Sequence, residues 1–190
     1  QRIMDDIIDL ELEKVDTILK KIADDPELEE TKMVEYKLWQ NIRKKAQEGR
    51  RTGIGITAEG DMLAALGLLY GSEKANKFSV EVHKTLAIEA YRAAVQTARE
   101  RGAFEIFDGE KEKGNPFILR LKEADEQLYY EMLEYGRRNI ALLTIAPTGT
   151  TSLMTQTTSG IEPVFLPVYK RRRKVNPSDK EARIDFVDEL

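Results

Sequence analysis

Small hydroxyl and glycine residues are concentrated in residues 147–160, where they could bind an anion. The apolar run 140–146 precedes them and has the length and composition of a buried strand. A strand that leads into a short loop at a helix start directs free backbone N–H groups towards one point, where a phosphate can bind. The candidate phosphate-binding residues are Pro147, Thr148, Gly149, Thr150, Thr151 and Ser152.

Two interpretations of this loop stay open from the residues alone. Backbone N–H groups of 149–152 and the hydroxyls could bind a diphosphate. Gly149 would let the ligand approach the backbone closely, and it could adopt a positive φ if the turn needs one. The loop could equally be a plain strand-to-helix turn capped by hydroxyls. It is not a P-loop, because no lysine follows the glycine, and Gly53 and Gly55 lack the third glycine of a dinucleotide fingerprint.

Other charged residues are weaker candidates. Glu162 lies between apolar residues, so we expect it either to pair with an arginine or to serve the site. The basic run 170–174 could contact phosphate, RNA or DNA, or be the solvated end of a strand. His83 is the only histidine, we expect it to be exposed, and we see no cluster of carboxylates, so no metal site and no catalytic residue is predicted.

Composition limits the class of protein. The 190 residues suffice for one domain with a core, and the net charge of −4 gives no general electrostatic attraction to nucleic acid. No apolar run approaches the roughly 20 residues of a membrane span, and the first residues are not a signal peptide, so we expect a cytoplasmic protein without membrane or direct nucleic-acid binding. The sequence does not begin with Met, which favours a fragment. The absence of cysteine excludes disulfides, thiolate metal sites and thiol catalysis within these residues.

The hydrophobic pattern predicts a helix-rich α/β arrangement with a parallel sheet. We predict one helix over 3–23 and a second that begins at Pro26 and ends at Gly49. A short helix capped by Asp61 follows, and then a long helix over 73–101 capped by Ser72. We also predict a helix over 118–135 and the beginning of another in the tail. Residues 103–117 are expected to be a loop. Strands are predicted near 54–57, 140–146 and 164–168.

Two helical faces carry further expectations. In the first helix Ile8, Val15 and Ile22 repeat every seven residues, which fits either packing in a helical bundle or a dimer contact. We expect the second helix to be capped by Asp25 and to bury the face of Val34, Leu38, Ile42 and Ala46. We expect the 73–101 helix to direct Phe78, Val82, Leu86, Ala90 and Ala94 inward.

The segment 139–165, which contains the sequence IAPTGTTS…SGIEPVF, closely resembles the ribonucleotide reductase large (catalytic) chain, most of all the adenosylcobalamin-dependent class II branch. Residues 49–57 are similar to the family's RRxGIG segment, which precedes a turn here formed by Gly60 and Asp61. The opening 4–9 and residues 63–71 are also similar, so the resemblance covers essentially the whole chain. Glu59 departs from it, because relatives usually carry an apolar residue there.

The resemblance implies a helix-rich segment from the latter part of the family's ten-stranded α/β barrel. The 190 residues would form a single region, with a helical hairpin over 1–49 and a strand/helix barrel segment over 50–190. The resemblance also implies that residues 147–152 hold the phosphates of a ribonucleoside di- or triphosphate, which the whole enzyme converts to a deoxyribonucleotide. A class II enzyme would use adenosylcobalamin for this reaction, and a class I chain would use a separate radical subunit.

The family works through a cysteine thiyl radical, a finger loop with a motif such as NPCxE and a redox cysteine pair. Residues 115–117 lack that cysteine, so this chain alone should be inactive and should need the remaining segments of the reductase, with a homodimer as a further partner. The alternative is a non-catalytic helical module that binds nucleotide or another protein.

Overall fold

The computed structural model describes residues 1–166, 168–173 and 183–189, and side chains within 1–166 and at Val168. The chain divides into two compact units. The first contains Gln1–Ile54 and Glu81–Thr144, and the second contains Gly55–Val80 and Ile145–Leu190. Helices dominate the described residues, and none of those helices is long and apolar enough to cross a membrane.

Helices α1 (Arg2–Asp24) and α2 (Glu29–Gly49) pack against each other in the first unit. The seam of α1 is confirmed, because Ile8, Val15, Leu19 and Ile22 are buried. Two details of α2 were predicted wrongly. It begins at Glu29, because Asp25 accepts a hydrogen bond from Glu27 N–H in a local turn. Its predicted inner face is largely exposed, with Val34 and Leu38 open to solvent.

Helix α3 (Glu59–Ala65) is short, and its N-cap is Ala58 with a φ of 64°, whereas Asp61 lies inside the helix. Helix α4 (Glu73–Arg101) confirms the predicted bounds, and the Ser72 hydroxyl caps it by accepting from Ala75 N–H at 3.3 Å. On α4 Ala90 and Ala94 are buried as expected, but Phe78 is exposed. His83 is half-buried rather than exposed.

The predicted 118–135 helix is two helices, α6 (Pro116–Ala124) and α7 (Glu126–Tyr135), after a single-turn α5 (Gly109–Glu112) in the predicted loop. Asp125 separates them, because its extended backbone ends α6 and its carboxylate accepts from Leu128 N–H at 2.9 Å to cap α7. Gly136, at a φ of 72°, ends α7. The main core lies here, formed by Tyr91, Ala94, Val95, Ile118, Leu121, Leu128, Tyr129, Met132 and Leu142.

The two predicted central strands pair in parallel, but only through one isolated bridge between Ile54 and Leu143. Ile54 N–H donates to the Leu142 carbonyl at 2.7 Å, and Thr144 N–H donates to the Ile54 carbonyl at 3.0 Å. Gly53 permits this approach, since a Cβ there would lie 3.0 Å from Thr144 Cγ2. The described residues are therefore helix-rich, with one parallel bridge in the first unit, and an extended parallel sheet is absent from them.

The tail differs from the prediction. Strands β1 (Val168–Arg173) and β2 (Arg183–Glu189) form an antiparallel hairpin with an irregularity between Arg171 and Arg172. The strand expected over 164–168 begins only at Val168. Residues 164–166 follow Pro163, which cannot donate to a ladder, and belong to no strand. The tail forms β2 instead of the predicted helix, consistent with the alternation of polar and apolar residues from Arg183 to Phe186. Lys174, the end of the basic run, and the turn around 176–179 lie outside the described residues.

Candidate anion-binding loop

The predicted loop leads into helix α8 (Gly149–Thr155), as the sequence indicates. The first intrahelical hydrogen bond runs from Ser152 N–H to the Thr148 carbonyl at 2.8 Å. The N–H groups of Gly149, Thr150 and Thr151 precede it, so they have no acceptor within the helix. All three residues are exposed. The loop therefore presents a row of backbone donors to solvent.

Thr148, rather than Gly149, carries the left-handed backbone of this loop. Its φ is 51° and its ψ is 26°, whereas Gly149 has an ordinary φ. A Cβ added to Gly149 would meet nothing within 4 Å. The turn therefore does not need a positive φ at Gly149, and the open space beside this residue is the remaining reason for a glycine.

The hydroxyls of the loop are not equivalent. Ser152 is buried, and its hydroxyl donates to the Gly149 carbonyl at 2.8 Å. The Thr148 hydroxyl is half-buried, accepts from Gly160 N–H at 2.7 Å and lies 2.8 Å from the Thr57 hydroxyl. Thr150, Thr151 and Pro147 are exposed. Thr148 and Ser152 thus fix the shape of the loop, while the backbone and the exposed threonines face solvent.

The second small-residue stretch, 157–160, supports the loop from within the same unit. Thr158 N–H donates to Asp61 Oδ2 at 2.9 Å, and Glu59 N–H donates to the Gly160 carbonyl at 3.3 Å. Gly160 has a φ of 56°, and a Cβ there would lie 3.2 Å from the Ala146 carbonyl oxygen. This stretch therefore joins the start of α3 to the candidate loop.

Glu162 and the basic run are the weaker candidates from the sequence. Glu162 is exposed, so the expected cost of burying it does not arise. Residues 170–173 of the basic run lie in β1, and their side chains are outside the described part of the structure.

Sequence reasoning missed a carboxylate cluster in the first unit. Oxygens of Asp5, Asp6 and Asp9 lie within 4.8 Å of one another, which is close enough to share a metal ion. Arginines already neutralise these charges. Asp5, which is fully buried, contacts Arg50 at 2.7 Å, Arg138 at 3.0 Å and Arg101 at 3.2 Å.

The remaining contacts complete this network, which we call the Asp5 cluster: Asp5, Asp6, Asp9, Arg50, Arg101, Arg138 and Asn139. Asp6 pairs with Arg101 at 2.6 Å and Asp9 pairs with Arg50 at 2.8 Å. The Asn139 amide donates from Nδ2 to Asp5 Oδ1 at 3.2 Å. Three carboxylates therefore face three guanidinium groups. Burial disfavours the charged form of Asp5, but Arg50 and Arg138 outweigh it and hold its pKa below the usual range. The cluster is a neutral structural network.

Comparison with known proteins defines the class. The family model described as "Ribonucleotide reductase, barrel domain" matches residues 27–190. The chain is 33% identical over 131 residues to a vitamin B12-dependent ribonucleoside-diphosphate reductase of Mycobacterium tuberculosis (strain CDC 1551 / Oshkosh), which covers 68% of this chain and 16% of the relative. A relative of the same name from Thermoplasma acidophilum is 29% identical, over 70% of this chain and 15% of the relative.

The relatives also include the ribonucleoside-diphosphate reductase subunit alpha of Treponema pallidum, which is 27% identical over 66% of this chain and 15% of the relative. This chain belongs to the ribonucleotide reductase barrel-domain family. It spans about a sixth of the length of the relatives it matches first. The resemblance stated from residues 139–165 is confirmed.

Proposed function

We propose that this chain is a segment of a ribonucleotide reductase that converts ribonucleoside diphosphates to deoxyribonucleotides, and that residues 147–152 bind the substrate's diphosphate. The observation that carries the proposal is the row of exposed N–H groups at Gly149, Thr150 and Thr151, with open space beside the glycine. The names of the relatives, which are ribonucleoside-diphosphate reductases, support this substrate class.

The chemistry of the loop suits a diphosphate. Backbone N–H groups are donors without bulk, so several can contact one phosphate, and each hydrogen bond to a charged oxygen contributes about 1.5–3 kcal/mol. The hydroxyls of Thr150 and Thr151 add two exposed donors. A neutral loop of this kind binds an anion through dipoles, and it lets the product leave more readily than a cluster of cations would.

The rest of the enzyme would supply the radical chemistry. The 190 residues contain no cysteine, so a thiyl radical and a redox pair must come from other segments of the reductase, and this chain alone should be inactive. We propose that the chain is one region of the family's α/β barrel, with a helical hairpin over 1–49 and the barrel segment over 50–190. The parallel bridge between Ile54 and Leu143 supports such a sheet.

The cofactor we propose for the whole enzyme is adenosylcobalamin, because relatives are named vitamin B12-dependent. The two cavities that lie beside helices α1 and α2 do not fit this cofactor. The cavities of about 470 and 600 Å³ beside α1 and α2 are lined partly by lysine and glutamate and contain no imidazole. The non-catalytic module is not favoured, since the relatives are reductases.

The test is a titration of cytidine diphosphate against the assembled reductase that contains this chain. Gly149→Val should raise the dissociation constant at least tenfold, because the side chain fills the space that the phosphate needs, at no cost in backbone strain. Gly114→Val is the matched control, since Gly114 also has open space and an ordinary φ, and its affinity should be unchanged.

A second comparison decides between the loop and the basic run. Arg172→Ala should change the affinity little if the loop is the phosphate site. Unchanged affinity in Gly149→Val, together with a large loss in Arg172→Ala, would move the phosphate site to β1 and contradict the proposal.

A further inference from the structure

Thr57 lies behind the candidate loop, 91 residues before it in sequence. Its hydroxyl oxygen is 2.8 Å from that of Thr148, and it also lies 3.4 Å from the Thr158 carbonyl oxygen. Thr57 is half-buried, whereas the loop beyond Thr148 is exposed. The family resemblance assigns nothing to Thr57, and the residue lies outside the predicted site.

The hydrogen-bonding capacity of a hydroxyl determines what Thr148 can do. A hydroxyl donates one hydrogen bond and accepts two. Gly160 N–H fills one acceptor position of the Thr148 oxygen at 2.7 Å. If Thr57 donates to the same oxygen, both acceptor positions are filled, and the Thr148 proton must seek another acceptor.

The distances favour this direction. The alternative acceptor for Thr57, the Thr158 carbonyl, is at 3.4 Å, which is long for an O–H···O hydrogen bond, whereas Thr148 is at an ordinary 2.8 Å. Two donors that converge on Thr148 also polarise its hydroxyl, which strengthens the hydrogen bond it donates. The Thr148 backbone, at a φ of 51°, is unfavourable for a β-branched residue and needs such contacts to hold it.

We propose that Thr57 is a positioning residue that turns the Thr148 hydroxyl into a hydrogen-bond donor for the substrate's diphosphate. The inference rests on the proposed function, because it needs an anion at residues 147–152. The Thr148 hydroxyl would donate a hydrogen bond to a phosphate oxygen, and the Thr57 hydroxyl would donate one to the Thr148 oxygen. No proton is transferred and no covalent bond changes. Thr57 itself would not touch the substrate.

The test compares Thr57→Val, which keeps the shape and removes the hydroxyl, with Thr57→Ser, which keeps the hydroxyl. Cytidine diphosphate and cytidine are each titrated against the assembled reductase. Thr57→Val should weaken cytidine diphosphate binding about tenfold and leave cytidine binding unchanged, whereas Thr57→Ser should stay within about twofold of the unmodified protein. A merely structural role would weaken both ligands or lower the melting temperature instead.

A double-mutant cycle with Thr148→Val isolates the coupling. Thr148→Val alone should lose about tenfold in diphosphate affinity, and adding Thr57→Val should cost nothing more. Equal affinity for cytidine diphosphate in Thr57→Val and the unmodified protein would overturn the inference, as would a full additional loss in the double variant. If Thr57→Val does not assemble, unchanged affinity in Thr148→Val, or a tenfold loss in Thr57→Ser, overturns it.

Gly149→Val separates this inference from the proposed function. If that variant loses affinity while the Thr57 variants do not, the phosphate site stands and the role of Thr57 is wrong. If neither loses affinity, the diphosphate does not bind at residues 147–152, and both fail.

Discussion

The two polar regions of this chain differ in their charge and in how completely their polar groups are paired. The Asp5 cluster in the first unit contains three carboxylates and three guanidinium groups, with the Asp5 carboxylate fully buried. The candidate loop of the second unit contains no charge, and the N–H groups of 149–151 are exposed without an intrahelical acceptor. The most highly charged region is thus saturated internally, while the neutral region has free donors.

This difference is the reason we propose the candidate loop, and not the Asp5 cluster, as the binding site. A charged group whose partners are complete has little left for a ligand, and displacing those partners costs several kcal/mol. N–H groups without a protein acceptor can bind a ligand without losing an internal hydrogen bond, because the ligand displaces solvent water from them. Charge density alone would have selected the Asp5 cluster instead. The predictions below test that contrast.

The largest expected effect comes from Asp5→Asn. The change leaves Arg50 and Arg138 buried without their shared counter-charge, and should lower the free energy of unfolding by about 3–5 kcal/mol in urea titrations. Asp9→Asn is the control, because its side chain is half-exposed and pairs only with Arg50, so the loss should stay below about 1 kcal/mol. Equal losses in the two variants would show that burial does not make the Asp5 cluster structural.

Acid should reveal the same cluster. Because the pKa of Asp5 is lowered in the folded chain, its contribution is complete above the pKa of the unfolded carboxyl, roughly 4, and is lost as the pH falls from there towards the folded pKa. The difference in unfolding free energy between the unmodified protein and Asp5→Asn should therefore shrink below about pH 4. Urea titrations between pH 3 and pH 7 measure it, and a constant difference across that range would contradict the assignment.

A smaller effect is expected at the turn that supports the loop. Gly160→Ala places a side chain at a φ of 56° and a Cβ near the Ala146 carbonyl oxygen, and should lower the free energy of unfolding by about 1–2 kcal/mol. Gly149→Ala should change it by less than about 0.5 kcal/mol, since that position is open and has an ordinary φ. Similar losses for both alanines would mean that the rim of the loop is as constrained as its base.

The sequence predicted the elements whose signals are local. Helix α4 was predicted with its observed bounds, because Ser72 caps it and a glycine follows its last turn. The break between α6 and α7 was missed, because Asp125 is a polar residue within an apolar period and no glycine or proline marks it. The tail was read as a helix although its short alternation fits a strand, and pairing with β1 decides between these in the structure.

The candidate loop was predictable in position but not in detail. Proline, glycine and hydroxyl residues marked 147–152, but the left-handed residue is Thr148 rather than Gly149, since Thr57 and the turn at Gly160 hold it there. The Asp5 cluster gave no sequence signal, because it joins residues 45, 96 and 133 positions apart. Partners that far apart depend on the packing of helices, and periodicity carries no information about them.

Hydrogen–deuterium exchange on the assembled reductase tests the central claim most directly. Saturating cytidine diphosphate should slow exchange of the amides at Gly149, Thr150 and Thr151, because phosphate oxygens would accept hydrogen bonds from these N–H groups. Exchange around Arg50 and Asn139 in the Asp5 cluster should not change. Slower exchange at β1 or at the Asp5 cluster, with residues 149–151 unchanged, would contradict the account.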